Sequence, residues 1–498
     1  MRGPPALLLA VLALLLPAGL TGCGLGEASS IQPASLSQPL PIPPLAPSTL
    51  DEAGRRVFSL DVQQGSHDFG AGTVPGTWGA NGSGYLGPTL RAERGEQVLV
   101  QVSNGTDEST TLHWHGMRVP ARMDGGPHQM VEPGQTWSPS WTVDQPAATL
   151  WYHPHPHGRT AEQVYRGLAG LFYVDDPAAT SGLPGQYGVD DIPLVVQDKS
   201  FTPDGRLDFG TGATTAVGFI GDRLVVNGAL GPYLDVTTQA VRLRLLNAST
   251  GRVYRFALSD GRPFHVVASD GGLLAAPVRT SAVQLSPAER AEIVVSMSAG
   301  ETIRLVSRPP ELGARLSGTE LFGREPFDVL ELRAADKLRR SPPLPDTLVD
   351  LPDADRAQGV DTREFVLGGR TINKRLLDMQ RIDEAVPLDQ AEVWRITNQT
   401  SLPHNFHVHD GQFRVLSLDG SPPPPELAGW KDTVYVEPTT TAEILVRFRD
   451  HHDPQWPYMV HCHLMIHEDQ GMMAQFVVLA PGEVADPSVL AEHADHGG

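Results

Sequence analysis

The residues with the clearest chemistry lie near the end of the chain, between positions 458 and 473. Cys462 stands between His461 and His463, and His467 and Met472 follow shortly after. Side chains alternate between the two faces of a strand, so the flanking histidines point one way and the cysteine the other. A thiolate with imidazoles and a weak thioether is a blue-copper ligand set. Two metal sites on opposite faces of one strand are therefore predicted; the alternative is a buried thiol among structural histidines.

Three further stretches each contain a His-x-His pair, which can present two imidazoles on one strand face. With the pair around Cys462 they provide eight imidazoles, more than the four ligands that one zinc ion takes. Such a set suits a cluster of about three copper ions. His404, three residues before one pair, remains free to complete a site with Cys462, His467 and Met472. The paired histidines are His113 and His115, His153 and His155, His407 and His409, and His461 and His463.

In this order the four motifs resemble the copper motifs of the multicopper oxidases, the family of laccases and bacterial copper-efflux oxidases, over about residues 55–480. The resemblance implies an enzyme that oxidises its substrate by single electrons at a type 1 copper. It implies that dioxygen is reduced to water at a type 2/type 3 cluster, with four copper ions in all. The fold expected is all-β, with three cupredoxin-like Greek-key β-sandwich domains, and the turn-rich composition of 51 glycines and 44 prolines also favours β-sandwiches.

The resemblance also implies which residues hold each copper. The implied ligands are His404, Cys462, His467 and Met472 for type 1, His113 and His407 for type 2, and His115, His153, His155, His409, His461 and His463 for the type 3 pair. Cys462 gains a catalytic role, because one substrate electron would pass from its sulfur through the adjacent imidazoles. Asp124 and Glu468 match acidic positions that the family uses near the cluster, where a carboxylate can relay protons. Asp124 also begins an Asp-Gly-Gly turn signal, and the two interpretations are compatible.

An internal repeat divides the chain. The segments 98–104, 241–247 and 393–398 each read as a strand that closes on Asn. Histidines follow at equivalent positions in the first and third units, whereas Phe256 and Leu258 follow in the second. The first unit also has Pro154 and Leu168 where the third has Cys462 and Met472. We predict domains at 51–178, 185–340 and 355–482, with trinuclear-site histidines in the outer two and only a structural role for the middle one.

Both ends of the chain are predicted to lie outside the folded body. Residues 1–22 read as a lipoprotein signal peptide before a lipidated Cys23; the alternative is an ordinary secretory signal. Residues 23–50 are interpreted as a Pro/Ser-rich tether and 483–498 as a flexible tail, in which His493 and His496 are solvated. The protein would then be exported and anchored by lipid alone in the bacterial cell envelope, on the periplasmic or extracellular side.

Composition limits the partners. The formal charge of −20 argues against nucleic acid and against anionic membrane surfaces. Because the only cysteines are Cys23 and Cys462, a lipidated Cys23 would leave Cys462 as a free thiol. His157 falls outside the family pattern and is interpreted as a structural or second-layer residue. His128, His451 and His452 are interpreted as surface or gorge residues.

The expected partners are dioxygen and a small-molecule phenolic or metal-ion reductant. The main hypothesis is a laccase-like oxidase of phenols and aromatic amines, because the chain has ten methionines but no methionine-rich segment. The first alternative is a cuprous or other metal-ion oxidase in copper tolerance, with Met379 as a candidate soft ligand. A blue-copper electron carrier without turnover is a further alternative, which the eight paired histidines disfavour. A copper nitrite reductase is the last, which three sandwich units and a His-Cys-His motif with both histidines in a trinuclear set disfavour.

Overall fold

Alternating burial along the strands shows why this sequence forms sheets. In the segment Gln97–Asn104, Val98, Val100 and Val102 are buried and Gln101 is exposed. This period of two places one face on a core and the other in solvent. A computed structural model describes residues 30–209, 214–215, 217–313, 322–351 and 359–490, and nearly all their regular structure is β-strand. The all-β prediction is confirmed.

The first sandwich follows a short strand in the N-terminal segment. The strands are β1 (Gln38–Pro39), β2 (Ser48–Leu50), β3 (Arg56–Asp68), β4 (Thr73–Ala80), β5 (Leu90–Glu93), β6 (Gln97–Asn104), β7 (His113–His115), β8 (Thr136–Trp137), β9 (Ser140–Thr142), β10 (Ala148–His153) and β11 (Gly170–Asp175). One sheet has the order β2-β3-β6-β8, with β4 and β9 paired to β3 and β6, and the other has the order β5-β11-β10-β7. Helix α1 (Thr160–Arg166) and a 3₁₀ turn at Ala121–Met123 connect strands.

The second sandwich has the largest sheets. Its strands are β12 (Asp191–Lys199), β13 (Thr214–Thr215), β14 (Gly218–Phe219), β15 (Arg223–Val226), β16 (Ala229–Leu230), β17 (Pro232–Thr238), β18 (Ala240–Asn247), β19 (Tyr254–Leu258), β20 (Phe264–Ser269), β21 (Gly272–Thr280), β22 (Val283–Leu285), β23 (Arg290–Ser296), β24 (Thr302–Arg308) and β25 (Phe327–Arg339). The orders are β16-β15-β12-β18-β23-β20-β21 and β1-β17-β25-β24-β19-β22, and β13 pairs with β14 alone.

The third sandwich completes the body. Its strands are β26 (Asp361–Gly368), β27 (Thr371–Ile372), β28 (Glu384–Pro387), β29 (Ala391–Asn398), β30 (His404–Val408), β31 (Phe413–Leu418), β32 (Thr433–Val436), β33 (Thr441–Arg447), β34 (Tyr458–Cys462) and β35 (Met473–Leu479). The sheets have the orders β27-β26-β29-β33-β31 and β28-β35-β34-β30-β32. Helix α2 (Met465–Asp469) links β34 to β35, and 3₁₀ turns lie at Pro425–Leu427 and Pro487–Val489. The predicted domain ranges contain the three sheet pairs apart from β1 and β2.

Asparagine side chains close equivalent strands in the three sandwiches. Asn104, Asn247 and Asn398 are buried, and each side-chain amide donates to at least two main-chain carbonyl oxygens. Each Oδ1 atom accepts the main-chain N–H of the residue two positions later. The repeat found in the sequence is therefore a repeated turn, and in the first and third sandwiches it leads into a histidine strand.

The N-terminal segment differs from the sequence-based prediction. The described part of the predicted tether, residues 30–50, is not free: β1 pairs in parallel with β17 of the second sandwich, and β2 pairs with β3 of the first. Ile31 and Leu40 are buried in the core of the second sandwich. Proline-rich chain can lie at a sheet edge because an edge strand leaves half of its N–H groups unpaired anyway. The signal segment and Cys23 lie outside the described residues and stay predictions.

The predicted flexible tail is also packed over its described part, residues 483–490. The Asp486 carboxylate accepts a hydrogen bond from Gln455 Nε2 at 2.8 Å, and Leu490 is fully buried. This apolar side chain has a place in the core, which the polar composition of the segment hid. His493 and His496 lie outside the described residues. Among the helices that the structure describes, none is long and apolar enough to cross a membrane.

Candidate metal centre

The thiol of Cys462 lies at the end of β34 with two imidazoles around it. Its Sγ atom is 3.4 Å from Nδ1 of His404 and 3.5 Å from Nδ1 of His467. Met472 is buried in the same apolar cluster, and its main-chain oxygen accepts the N–H of Cys462 at 3.1 Å. The structure thus brings the four predicted type 1 residues into one region. A thiol and two imidazole nitrogens that face each other form a donor set that suits copper.

Strand alternation separates this sulfur site from the paired histidines. Across β30 and β34, His407 is opposite His461, and Phe406 is opposite Cys462. His407 lies in β30 and His409 directly follows its end on the same face, whereas His404, three residues before His407, belongs to the other face. A single pair of neighbouring strands therefore supplies two sites on its two faces.

The eight paired histidines meet between the first and third sandwiches, and each is at most 1% exposed. Nε2 of His461 is 3.3 Å from Nε2 of His155 and 3.1 Å from Nε2 of His409. Two pairs of rings stack with centroids 3.8 and 3.9 Å apart, and each pair has one ring from either sandwich. The site is therefore complete only when the two sandwiches dock. The stacked pairs are His115 with His407 and His113 with His409.

Two of these rings have fixed tautomers and open nitrogens. Nδ1 of His113 donates to the main-chain oxygen of Asp124 at 2.9 Å, and Nδ1 of His407 donates to that of Asp432 at 2.8 Å. The Nε2 atoms of both rings are buried and have no hydrogen-bond partner among the described residues. Buried lone pairs of this kind call for a ligand, and neutral imidazole is a copper ligand. These are the two predicted type 2 residues, and they fit that ion.

Asp124 and Asp432 each also contact a histidine of the other sandwich. Asp124 accepts a hydrogen bond at Oδ2 from Nδ1 of His409, 2.7 Å away, and Asp432 accepts one at Oδ1 from Nε2 of His115, 3.0 Å away. Each aspartate therefore holds one histidine of its own sandwich through its main chain and one of the other sandwich through its carboxylate. Carboxylates that bind the second ring nitrogen fix the tautomer and orientation of a metal ligand.

Asp432 was not found by sequence analysis. No histidine stands near it in the chain, and it reaches His407 only because β32 pairs with β30. The signal that could have found it is comparison between the repeat units, since Asp124 has the equivalent role in the first.

Glu468 joins a third pair of histidines. Its carboxylate oxygens are 3.3 Å from Nδ1 of His155 and 3.3 Å from Nδ1 of His461, one from each sandwich. Burial opposes its ionisation, but these imidazoles outweigh burial and hold the pKa of the Glu468 carboxyl well below its usual range. The carboxylate is thus ionised and oriented towards both rings.

Burial keeps seven of the clustered histidines in the neutral form that binds metal. It lowers the pKa of His155, His404 and His463 to about 3. It also raises the pKa of the Cys462 thiol to about 12. Loading this thiol with a metal ion must therefore release a proton. Burial lowers the pKa well below its ordinary value at His115, His153, His407 and His409.

Both imidazoles beside Cys462 are shielded from solvent. His404 is fully buried and His467 is 1% exposed, while Leu402 and Ile466 are partly exposed. Nε2 of His404 is 3.1 Å from the hydroxyl oxygen of Thr400. Met465, two residues before His467, is fully buried in a cluster with side chains of the first two domains.

The first sandwich repeats the third without its sulfur site. In both, the histidine strand is followed by a short helix, α1 or α2, and then by a glycine with a left-handed backbone, Gly167 or Gly471. Leu168 follows the first and Met472 the second, and both side chains are buried. A longer α1 and a longer segment before it account for the different spacing after the histidines in the two units.

Four further histidines of the described residues lie outside the two clusters. His157 is exposed, two residues after His155. His128 contacts Gln475, His451 contacts Asp410, and His452 contacts Glu483. The histidine groups close enough to share a metal ion contain none of these four, among the residues that the structure describes.

Known proteins share both the sequence and this architecture. Two family models, each described as multicopper oxidase, match residues 61–179 and 343–482. A protein named multicopper oxidase mco from Staphylococcus haemolyticus is 36% identical over 442 residues, which cover 88% of this chain and 91% of that protein. A protein named cell division protein FtsP from Dickeya dadantii is 40% identical over 456 residues, or 89% of this chain and 93% of that protein.

A solved structure is similar over the whole body. It is a laccase-like multicopper oxidase, CueO, from the lignin-degrading bacterium Ochrobactrum sp., described as active towards lignin model compounds and lignosulfonate. Its sequence identity is 39% and its TM-score 0.79, and the match covers 89% of this chain and 100% of that one.

Proposed function

Because this chain belongs to the multicopper oxidase family, we propose that it is a laccase-like oxidase of phenols and aromatic amines that reduces dioxygen to water. One observation carries the proposal. Cys462, in the sulfur site, lies between His461 and His463, in the histidine site, and N–H of His463 also donates to the main-chain oxygen of Asn405 in β30 at 2.7 Å. Two redox sites are therefore joined by a few covalent bonds of one strand.

The proposed ligands are those that the resemblance to the family implies. We assign a type 1 ion to His404, Cys462, His467 and Met472, a type 2 ion to His113 and His407, and a type 3 pair to His115, His153, His155, His409, His461 and His463. Copper bound there supplies the one-electron chemistry and the reduction of dioxygen. The chain supplies neutral imidazoles, fixed tautomers and exclusion of water.

Protons must reach the histidine site from carboxylates nearby. Asp124 and Glu468 are the proposed relays, since each contacts histidines of both sandwiches. A carboxylate that lies beside imidazoles can take up a proton when charge in the site changes and pass it on. We also expect Asp432 to orient rings and not to carry protons, because its two oxygens are already held by Arg290.

The surroundings of Cys462 favour an organic donor. The approach to His404, residues 399–403, reads Gln-Thr-Ser-Leu-Pro and has no thioether or carboxylate for a substrate ion. Leu402 is partly exposed, and Val217, Ile220 and Leu312 of the middle domain belong to the same apolar cluster as Cys462. Since the ring edges of His404 and His467 are covered and the three side chains of the middle domain are buried, a donor would contact the partly exposed Leu402 and Ile466 instead. Apolar walls suit an aromatic ring better than a hydrated ion.

One observation favours a metal-ion oxidase as the second candidate. Met379 is partly exposed on the loop in which the N–H of Leu377 donates to the main-chain oxygen of Gly471 at 2.9 Å, next to Met472. A thioether there could hold Cu(I). The relatives named as cell division proteins favour a role in cell division as a further candidate, but the buried, unpaired nitrogens of His113 and His407 support metal binding.

Oxygen uptake with matched concentrations of a phenol, an aromatic amine and Cu(I) tests the substrate class. The copper-loaded protein is expected to turn over the phenol and the amine faster than Cu(I), with the copper-free protein as the control. Fast, saturable turnover of Cu(I) with negligible phenol oxidation would overturn the proposal in favour of a metal-ion oxidase. If that happens, Met379→Leu should raise the KM for Cu(I).

A further inference from the structure

Arg290, the first residue of β23 in the middle domain, is fully buried at the junction of all three domains. A guanidinium has five N–H donors, and the structure provides an acceptor for every one. The acceptors are the main-chain oxygens of Thr149 at 3.0 Å, Ala288 at 3.0 Å and Asp270 at 2.8 Å, and the two carboxylate oxygens of Asp432 at 2.8 and 2.6 Å. They come from the first, second and third domains, so this side chain is fixed only when all three are docked.

Asp432 connects the fixed side chain of Arg290 to two rings of the histidine site. Its Oδ1 atom accepts from Nη1 of Arg290 and from Nε2 of His115, and its main-chain oxygen accepts from Nδ1 of His407. The rings of His115 and His407 stack on each other, 9° from parallel. A carboxylate held by a planar two-point contact has little freedom to rotate. The proton of His115 is then kept on Nε2, and its Nδ1 is turned towards Nε2 of His153 at 3.4 Å.

The other half of the site shows that this arrangement is not a general need of the fold. Asp124 holds His113 and His409 as Asp432 holds His407 and His115. However, Asp124 has no arginine contact in the described residues, and its Oδ1 atom has no hydrogen-bond partner there. The guanidinium is therefore specific to the half of the site that faces the middle domain.

We propose that Arg290 is a positioning residue for the histidine site, through which a domain without copper ligands sets the orientation of His115 and His407. The sequence predicted only a structural role for this domain. The contact of Arg290 with Asp432 is a specific form of that role. That His115 and His407 bind copper rests on the proposed function, whereas the orientation of their rings by Arg290 does not.

Arg290→Gln tests the proposal, with Arg242→Gln as the matched control. Arg242 lies in β18, the strand next to β23, is also buried, and forms an ion pair with Glu292, but it does not contact Asp432. Both variants lose a buried ion pair, so both should lower the melting temperature of the copper-free protein. Only Arg290→Gln should weaken copper binding at the histidine site, by about 10- to 100-fold, which is typical of lost contacts behind a metal ligand.

The readouts are copper titration, the type 2 signal in electron paramagnetic resonance, and the blue absorption of the Cys462 site. Arg290→Gln should lose type 2 signal at sub-saturating copper while the blue absorption is kept. The type 2 signal of Arg290→Lys should lie between those of the wild type and Arg290→Gln, since an ammonium lacks the planar two-point geometry. Equal losses in both glutamine variants, or a wild-type type 2 signal in a folded Arg290→Gln protein, would overturn the proposal. If Arg290→Gln does not fold, the same measurements on Arg290→Lys, with Arg242→Lys as the control, decide between the same outcomes.

Imidazole nitrogen spectra of the copper-free protein separate this inference from the proposed function. Wild-type protein should show His115 protonated at Nε2, and Arg290→Gln or Arg290→Lys should show a mixture of tautomers. If the wild type binds no copper but the variants still show the mixture of tautomers, only the oxidase proposal is contradicted. An unchanged tautomer in both Arg290 variants would contradict the positioning role alone.

Discussion

Single residues control the metal centre through the second nitrogen of an imidazole, which is the one that does not face the other ligands. His404 is a clear case, because its Nδ1 faces Cys462 while its Nε2 meets the hydroxyl oxygen of Thr400. That hydroxyl has acceptors of its own in Asn398 Oδ1 at 2.8 Å and the main-chain oxygen of Leu402 at 2.9 Å. Its proton is thus used, and it accepts the N–H of His404. The contact fixes the ring tautomer and also prevents a substrate from hydrogen-bonding to this nitrogen.

Thr400→Val should disturb the Cys462 site without disturbing the histidine site. Removing a contact behind a ligand is expected to weaken copper retention by about tenfold and to change the intensity of the blue absorption. Thr106→Val is the matched control, because Thr106 makes the same turn after Asn104 and contacts no copper ligand. Copper titration followed by absorption measures both variants. A Thr400→Val protein with wild-type spectrum and affinity, or equal losses in Thr106→Val, would contradict the role given to this hydroxyl.

The ligands were predictable from the sequence and their supporting residues were not, for a physical reason. Each His-x-His pair lies in one short window, and the period of a strand is enough to place both rings on one face. Asp432, Arg290 and Thr400 act through cross-strand register, domain docking or a turn, none of which a local window encodes. Asp124 and Glu468 were found because they lie beside histidines in the chain.

At the scale of elements, β7 and β30 each bring buried imidazoles into one site between two sandwiches. The copper-free protein must bury these rings in the neutral form. Burial lowers the pKa of His155, His404 and His463 to about 3, compared with 6.5 in an unfolded chain. The unfolded chain therefore binds more protons between these values. Stability contributed by the neutral rings is complete above pH 6.5 and is lost as pH falls towards 3.

Denaturant titration of the copper-free protein from pH 7.5 to 5 should show this loss directly. Each buried ring contributes up to about 1.4 kcal/mol per pH unit within the window. His409→Asn should reduce the slope by about one proton, because burial lowers the pKa of His409 well below its ordinary value. Equal slopes for the wild type and His409→Asn, or stability that does not fall with pH, would argue against neutral buried rings.

The N-terminal segment shows where element prediction from composition fails. Its Pro- and Ser-rich sequence lacks the periodicity of a strand, yet β1 and β2 join two sandwiches. The carbonyl oxygens of Pro41 and Pro43 accept hydrogen bonds from the side chains of Asn227 and Tyr187. These partners are far away in sequence, so no local pattern could indicate them.

At the scale of the whole molecule, the family resemblance carried by the four histidine motifs is confirmed, and the order of three sandwiches follows from it. The first and third domains share the histidine site, and the middle domain holds both of them through Arg290 and through apolar side chains near Cys462. Function in this account depends on docking, because no single domain contains a complete histidine site.

The central claim is that electrons enter at Cys462 and leave to dioxygen at the eight-histidine site. Oxygen uptake during oxidation of a phenol, compared between the copper-loaded wild type and Cys462→Ser, tests it most directly. The wild type should consume one dioxygen for every four single-electron oxidations and produce no hydrogen peroxide. Cys462→Ser should keep copper at the histidine site but lose phenol-dependent uptake. A Cys462→Ser protein that oxidises the phenol and consumes dioxygen at the wild-type rate would contradict the account.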